Sequence, residues 1–145
     1  MSYETWHTYG YGICVSNIKE PPVSRLQHLL HCAPEVEESV NEWLADCEIE
    51  QPIYEDYMEY DQDYQLGLAT ILCEVIQEAE GVIFTPCDDF DGWTYLVYQP
   101  SYPWALPENE AQLTEERIAE ILGKYVRMLT DEEITIDYFS VENGG

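Results

Sequence analysis

Basic residues are what this chain lacks. Lys19, Arg25, Arg117, Lys124 and Arg127 are the only five in 145 residues, against thirty Asp and Glu, for a formal net charge of −25. From Leu26 to Glu116 there is no lysine or arginine, while twenty-two acids fall in that window. Without a basic surface to neutralise phosphates, direct binding to nucleic acid or to an anionic membrane is not expected. Long apolar runs are missing too. The most apolar segment, Leu66 to Ile76, contains Glu74 and is far too short to span a bilayer. Cysteine is present in an odd number, five, with no C-x-x-C spacing, which argues for reduced thiols in a cytosol and against a disulfide framework. The opening Met-Ser-Tyr-Glu-Thr-Trp has neither a basic region nor an apolar run, so no secretory leader is expected and the protein reads as soluble and cytoplasmic.

What is present is the composition of a folded body. Apolar residues make up 46% and nineteen residues are aromatic, so the chain reads as one globular domain over residues 1–145 despite its charge. A compact chain of this length has a diameter of roughly 38 Å, and duplex DNA of that length carries about 22 phosphate charges. The protein therefore holds a charge comparable to that of a similar length of duplex. Self-repulsion of this size opposes folding, so some benefit should offset it. Halophilic adaptation and a purely solubilising surface are the alternative readings of the charge.

Hydrophobic periodicity sets the elements. Residues 4–16 alternate as a strand whose glycines point to a bulge or a close backbone approach. Ser24 can cap a short helix through about Cys32, and Pro34 suits the first turn of a second, with Val36, Val40, Trp43, Leu44 and Cys47 as its apolar stripe. From about Gln62 to Ala79 a third, most buried helix is expected, ended by Gly81. Val82–Thr85 and Trp93–Gln99 read as a hairpin, and Pro100–Pro107 as a loop. Thr114 caps a last helix with Ile118, Ile121, Leu122, Tyr125, Val126 and Leu129 inward, before a strand over Ile134–Val141. The order is β-α-α-α-β-β-α-β. Strands and helices segregate, which predicts an α+β fold with a small antiparallel sheet of about four strands packed against three to four helices.

The stretch from Glu48 to Tyr64 holds seven carboxylates and four tyrosines and no base. Tyr54, Tyr57, Tyr60 and Tyr64 recur at helical spacing, flanked by Glu55, Asp56, Glu59, Asp61 and Asp63. Tyrosine offers contact area at low entropy cost and carboxylates accept bidentate bonds from arginine, so an outward acidic-aromatic face would suit a basic protein surface. Glu48, Glu50, Tyr54, Glu55, Asp56, Tyr57, Glu59, Tyr60, Asp61 and Asp63 are the expected partner-binding residues, with Asp88, Asp89 and Asp91 as a second acidic patch.

Other chemistry finds little support. If Asp91-Gly92 took positions five and six of a calcium loop, Cys87 and Tyr98 would fall where ligating carboxylates belong. His28 and Cys32 share a helical face with His31 beside them, but no second pair has zinc-site spacing, and packing or solvent exposure is the expected role. Tyr9-Gly10-Tyr11-Gly12 lacks the third glycine and following helix of a phosphate loop. No cysteine carries a nucleophile signature, and with thirty acids a carboxylate pair means nothing by itself. No metal, no cofactor and no catalytic residue are expected. A small enzyme using a cysteine or a carboxylate pair stays as an alternative.

The opening Tyr-Glu-Thr-Trp-His-Thr-Tyr-Gly-Tyr-Gly and the closing Asp-Tyr-Phe-Ser-Val-Glu-Asn-Gly-Gly resemble the ends of small proteins from phages and mobile elements of Gram-positive bacteria. In size and acidity the whole chain is similar to anti-CRISPR and anti-restriction proteins that mimic DNA, without a shared motif that would transfer a functional residue. The resemblance implies an inhibitor at work in a host bacterial cytosol. Its partner would be the basic nucleic-acid cleft of a host defence nuclease such as Cas9, whose duplex channel is rich in Lys and Arg. An immunity protein neutralising a cognate toxin nuclease is the alternative within the binding class.

Overall fold

The computed structural model describes residues 5–60, 67–89, 91–98 and 114–144. Its elements are β1 (Thr5–Cys14), a 3-10 turn (Val15–Asn17), α1 (Val23–Leu30), α2 (Pro34–Asp46), α3 (Tyr54–Met58), α4 (Leu68–Glu80), β2 (Thr85–Asp88), β3 (Thr94–Tyr98), α5 (Glu115–Leu129) and β4 (Ile136–Gly144). This is the expected α+β class: four antiparallel strands in the order β2-β3-β1-β4, with five α-helices among the described residues.

The sheet is built on β1, which pairs with β3 on one side (Gly12 opposite Val97, Ile13 opposite Leu96) and with β4 on the other (Tyr11 opposite Tyr138, Ile13 opposite Ile136). Period-two alternation puts Ile13 and Leu96 on the helix-covered face, inside one core with Leu26, Leu29, Leu72, Ile76, Ile121 and Tyr125. Cys14, Val97 and Val141 on the opposite face are buried as well. At Gly12 the strands come so close that a Cβ would stand 2.0 Å from the Leu96 carbonyl oxygen, so the close approach expected of the β1 glycines is realised here.

Local signals explain most helix ends. Pro34 occupies the first turn of α2. Gly81 ends α4 in the left-handed region at φ 71°. The Thr114 hydroxyl accepts the Arg117 N–H at 3.2 Å, and all six apolar positions expected of α5 are buried. α4 is the central helix, with Leu68, Ile71, Leu72, Val75 and Ile76 buried.

Four expectations are corrected. Ser24 does not cap α1: Pro22 holds the N-cap, because its polyproline-like backbone already delivers the chain into the first turn. Cys47 lies just past the end of α2 and is exposed. The hairpin strands begin later, at Thr85 and Thr94, with the sheet edge beginning at the Thr85-Pro86 pair. There Pro86 is tolerated because an edge strand need not donate on its outer side. The helix expected through the tyrosine stretch is a five-residue α3 within the described part, and it turns its aromatic side inward. The loop expected over Pro100–Pro107 lies outside the described residues.

Candidate acidic interface

Tyrosine spacing along α3 was expected to form an outward ridge, and the structure reverses it. Tyr57 is 2% exposed, sits in the core, and its hydroxyl accepts Gln27 Nε2 at 3.3 Å. Tyr54 and Tyr60 are half-buried against the same core, Tyr60 meeting Trp43 of α2 edge-on at 5.8 Å between ring centres. The physical reason is the amphipathic rule itself: on a short helix lying on a core, the stripe of large apolar surface is the one that leaves water. Tyr57 is therefore a packing residue and not a partner contact. Asp61, Asp63 and Tyr64 lie outside the described residues.

Turning the tyrosines in turns the carboxylates out. Between Glu35 and Glu59 there are ten acids, and eight of them are exposed: Glu35, Glu38, Glu42, Asp46, Glu48, Glu50, Glu55 and Glu59. Among the described residues no lysine or arginine stands within 4.0 Å of any of the ten. Four of the five bases pair elsewhere. Lys19 pairs with Glu132 and Arg25 with Asp131, both at 2.9 Å. Lys124 reaches Glu80 at 3.4 Å, and Arg117 reaches Glu120 at 3.2 Å and Glu80 at 3.9 Å. Among the described residues the His31 imidazole lies against Glu37.

Some of these acids have structural work, which bears on which are available to a partner. Glu35 and Glu37 lie in the first turn of α2 and Glu55 and Asp56 in that of α3, where the helix dipole favours them. Asp56 Oδ2 also accepts the Ile53 N–H at 2.8 Å. Glu38, Glu42, Asp46, Glu48, Glu50 and Glu59 have no such role. Asp46 sits in the last turn of α2, where a negative charge is unfavourable.

The second expected patch is mostly a turn. Asp89 Oδ1 accepts the N–H groups of Asp91 and Trp93 at 2.9 Å each, and Oδ2 accepts the Tyr95 hydroxyl at 3.1 Å. This carboxylate organises the β2–β3 connection, as short polar side chains do when they bond their own backbone. Asp88 is half-buried and Asp91 exposed.

Sequence reasoning missed one carboxylate with a defined task. Glu78, in the last turn of α4, accepts the N–H of Glu35 at 3.2 Å and of Val36 at 2.9 Å, capping α2 from another helix. The partners lie more than forty residues apart, so no local pattern could signal it.

The chemistry of three thiols, Cys14, Cys73 and Cys87, does not favour catalysis. Burial pushes the Cys14 and Cys73 thiols up, and burial with Asp88 and Asp89 nearby pushes Cys87 to about 11. At neutral pH that leaves Cys87 as thiolate in roughly one molecule in ten thousand, the reverse of what a nucleophile needs. Among the described residues no group of three or more His, Cys, Asp or Glu could hold a metal ion. His28 and His31 are exposed, and the Cys32 thiol lies 3.7 Å from the Met128 sulfur. No helix of the described residues is long and apolar enough to cross a membrane.

No family model, curated protein or solved structure matches the chain.

Proposed function

We propose that the protein is an inhibitor by charge mimicry: a folded acidic body that occupies the basic nucleic-acid cleft of another protein and competes with the nucleic acid for it. The narrowest form of the reading is an anti-CRISPR-like partner of a host defence nuclease such as Cas9. The observation that carries it is the run of eight exposed carboxylates between Glu35 and Glu59 with no lysine or arginine in pairing distance among the described residues. Recognition falls to the carboxylates of α2 and of the Glu48–Glu59 segment, while Tyr57 holds that segment to the core. Glu38, Glu42, Glu48, Glu50 and Glu59 are the best placed, since none of their carboxylates is engaged in capping. A cationic cleft would meet them with arginines, gaining charge-assisted bonds and fast, salt-sensitive association.

Competition against labelled duplex DNA, for Cas9-type effectors and other basic nucleases, tests the reading. Displacement is expected to saturate at a fixed stoichiometry and to weaken steeply between low and high salt. Inhibition that persists unchanged in high salt, or that needs only sub-stoichiometric protein, would rule the mimic out.

A further inference from the structure

The acidic surface carries one feature that charge alone does not explain. Ile53, the residue that enters α3, is 56% exposed. It stands at the rim of a groove of about 450 Å³ formed where the chain before α1 meets the start of α3, walled by Glu20, Pro22, Val23, Ile53, Tyr54 and Glu55. One wall, Pro21 and Pro22, is apolar and conformationally fixed, since proline has little freedom to lose when something binds against it. The two carboxylates, Glu20 and Glu55, are both exposed, and the nearest bases are occupied: Lys19 turns to Glu132 and Arg25 to Asp131. Tyr54 lines the same groove as both carboxylates. Burial raises the pKa of its hydroxyl, and the negative charges of Glu20 and Glu55 raise it further.

We propose that this groove is a docking subsite for an arginine side chain of the partner, with the guanidinium between Glu20 and Glu55 against the Tyr54 ring and the methylene stem along Pro22 and Ile53. The inference rests on the reading above for the sign of the partner and adds where, and by which residue type, it is held. Arginine fits better than lysine on three grounds. Its planar head stacks on an aromatic face, its fork bonds two carboxylates at once, and it is the more weakly hydrated cation. The stem of a long cationic side chain covers apolar wall while its head stays polar, which is the pairing of surfaces this groove offers. A neutral apolar ligand would leave both carboxylates facing it, and an anion would be repelled.

The test uses the full chain labelled with ¹⁵N and two probes, hexa-arginine and hexa-lysine, titrated at low salt. Hexa-arginine is expected to shift the amides of Glu20, Val23, Ile53, Tyr54 and Glu55 in a saturable way, at least fivefold more tightly than hexa-lysine does. The exposed pair Glu20→Lys with Glu55→Lys, which leaves the core untouched, is expected to weaken hexa-arginine at least tenfold and to erase the preference over lysine. Shifts confined to α2, with the groove amides unmoved, would overturn the subsite and leave the acidic-surface reading standing. Equal binding of the two peptides at the groove would overturn the choice of arginine. No binding of either peptide anywhere would sink both readings.

Discussion

Glu42→Lys separates a functional charge from an ornamental one. Glu42 is exposed on α2, one turn after Glu38 and one turn before Asp46, and all three carboxylates face water. Like charges at this spacing destabilise a helix by about 0.2–0.5 kcal/mol per pair, and opposite charges stabilise it by a similar amount. Lysine at 42 removes two repulsions and installs two attractions, for a gain of about 0.8–2 kcal/mol at low salt. For a chain of this length that raises the melting temperature by about 3 °C per kcal/mol. Thermal unfolding followed by circular dichroism at 20 mM and 500 mM NaCl checks it, because the gain should shrink as salt screens the pairs. On the proposed reading, the same variant should bind hexa-arginine several-fold more weakly. A melting temperature that stays put or falls at low salt would show that the α2 acids do not repel one another as drawn. A variant that is more stable and binds as well as before would remove α2 from the contact surface.

Gly12→Ala should be severely destabilising, by about 3 kcal/mol or more, because a Cβ 2.0 Å from the Leu96 carbonyl oxygen and 2.7 Å from Val97 Cα must push β1 and β3 apart; a urea titration giving an unfolding free energy lowered by less than about 1 kcal/mol would contradict the packing. Glu78→Ala should lower stability by about 1 kcal/mol by uncapping α2, with amide exchange rising first at Glu35 and Val36; unchanged exchange there would refute the cap. Alkaline pH should destabilise the fold through a partly buried thiol and a tyrosine hydroxyl. The Cys87 thiol and the Tyr95 hydroxyl are pushed up to about 11 and about 12 from ordinary values of 9.0 and 10.0, chiefly by burial. Their neutral forms favour the fold. That stability is complete below pH 9, declines as pH passes through 9 to 11 for Cys87, and through 10 to 12 for Tyr95. Cys87→Ser should flatten the lower part of that decline in a pH series of denaturant titrations; an identical slope would refute the assignment.

How much of this was legible depends on whether a signal was local. α5 could be read almost in full because cap and stripe reinforce each other: Thr114 bonds the N–H three residues on, and Ile118 through Leu129 keep a 3.6-residue period. Pro34 and Gly81 marked their helix ends for the same reason. The tyrosine stretch failed differently. The spacing predicts one helical stripe through Tyr64, yet α3 ends at Met58 with Tyr60 beyond it, and the aromatic side expected outside turns inward. A helix that lies on a core has only one side to give water, and burying the rings of Tyr54, Tyr57 and Tyr60 outweighs displaying them. The β2–β3 hairpin was found with its strands displaced, since a short edge strand containing Pro86 carries little pattern of its own. The Glu78 cap and the Glu20–Glu55 groove join segments remote in sequence, and only the fold brings them together.

The contrast between two helices of this chain bears on why the charge is there. α5 presents Glu115, Glu116, Arg117, Glu120, Lys124 and Arg127, a mixed surface in which Arg117 and Lys124 pair with Glu120 and Glu80. α2 presents Glu35, Glu37, Glu38, Glu42 and Asp46 and not one base. A pressure acting on the whole surface, such as solubility or a salty medium, would treat both helices alike. Exposed ion pairs are worth at most about 1 kcal/mol each, so placing the few bases on α5 instead of α2 brings little stability. It leaves α2 with repulsions that one lysine would relieve. Keeping α2 and the segment after it free of bases is therefore an arrangement the fold's own stability does not favour, and the cationic partner proposed above would give it a reason.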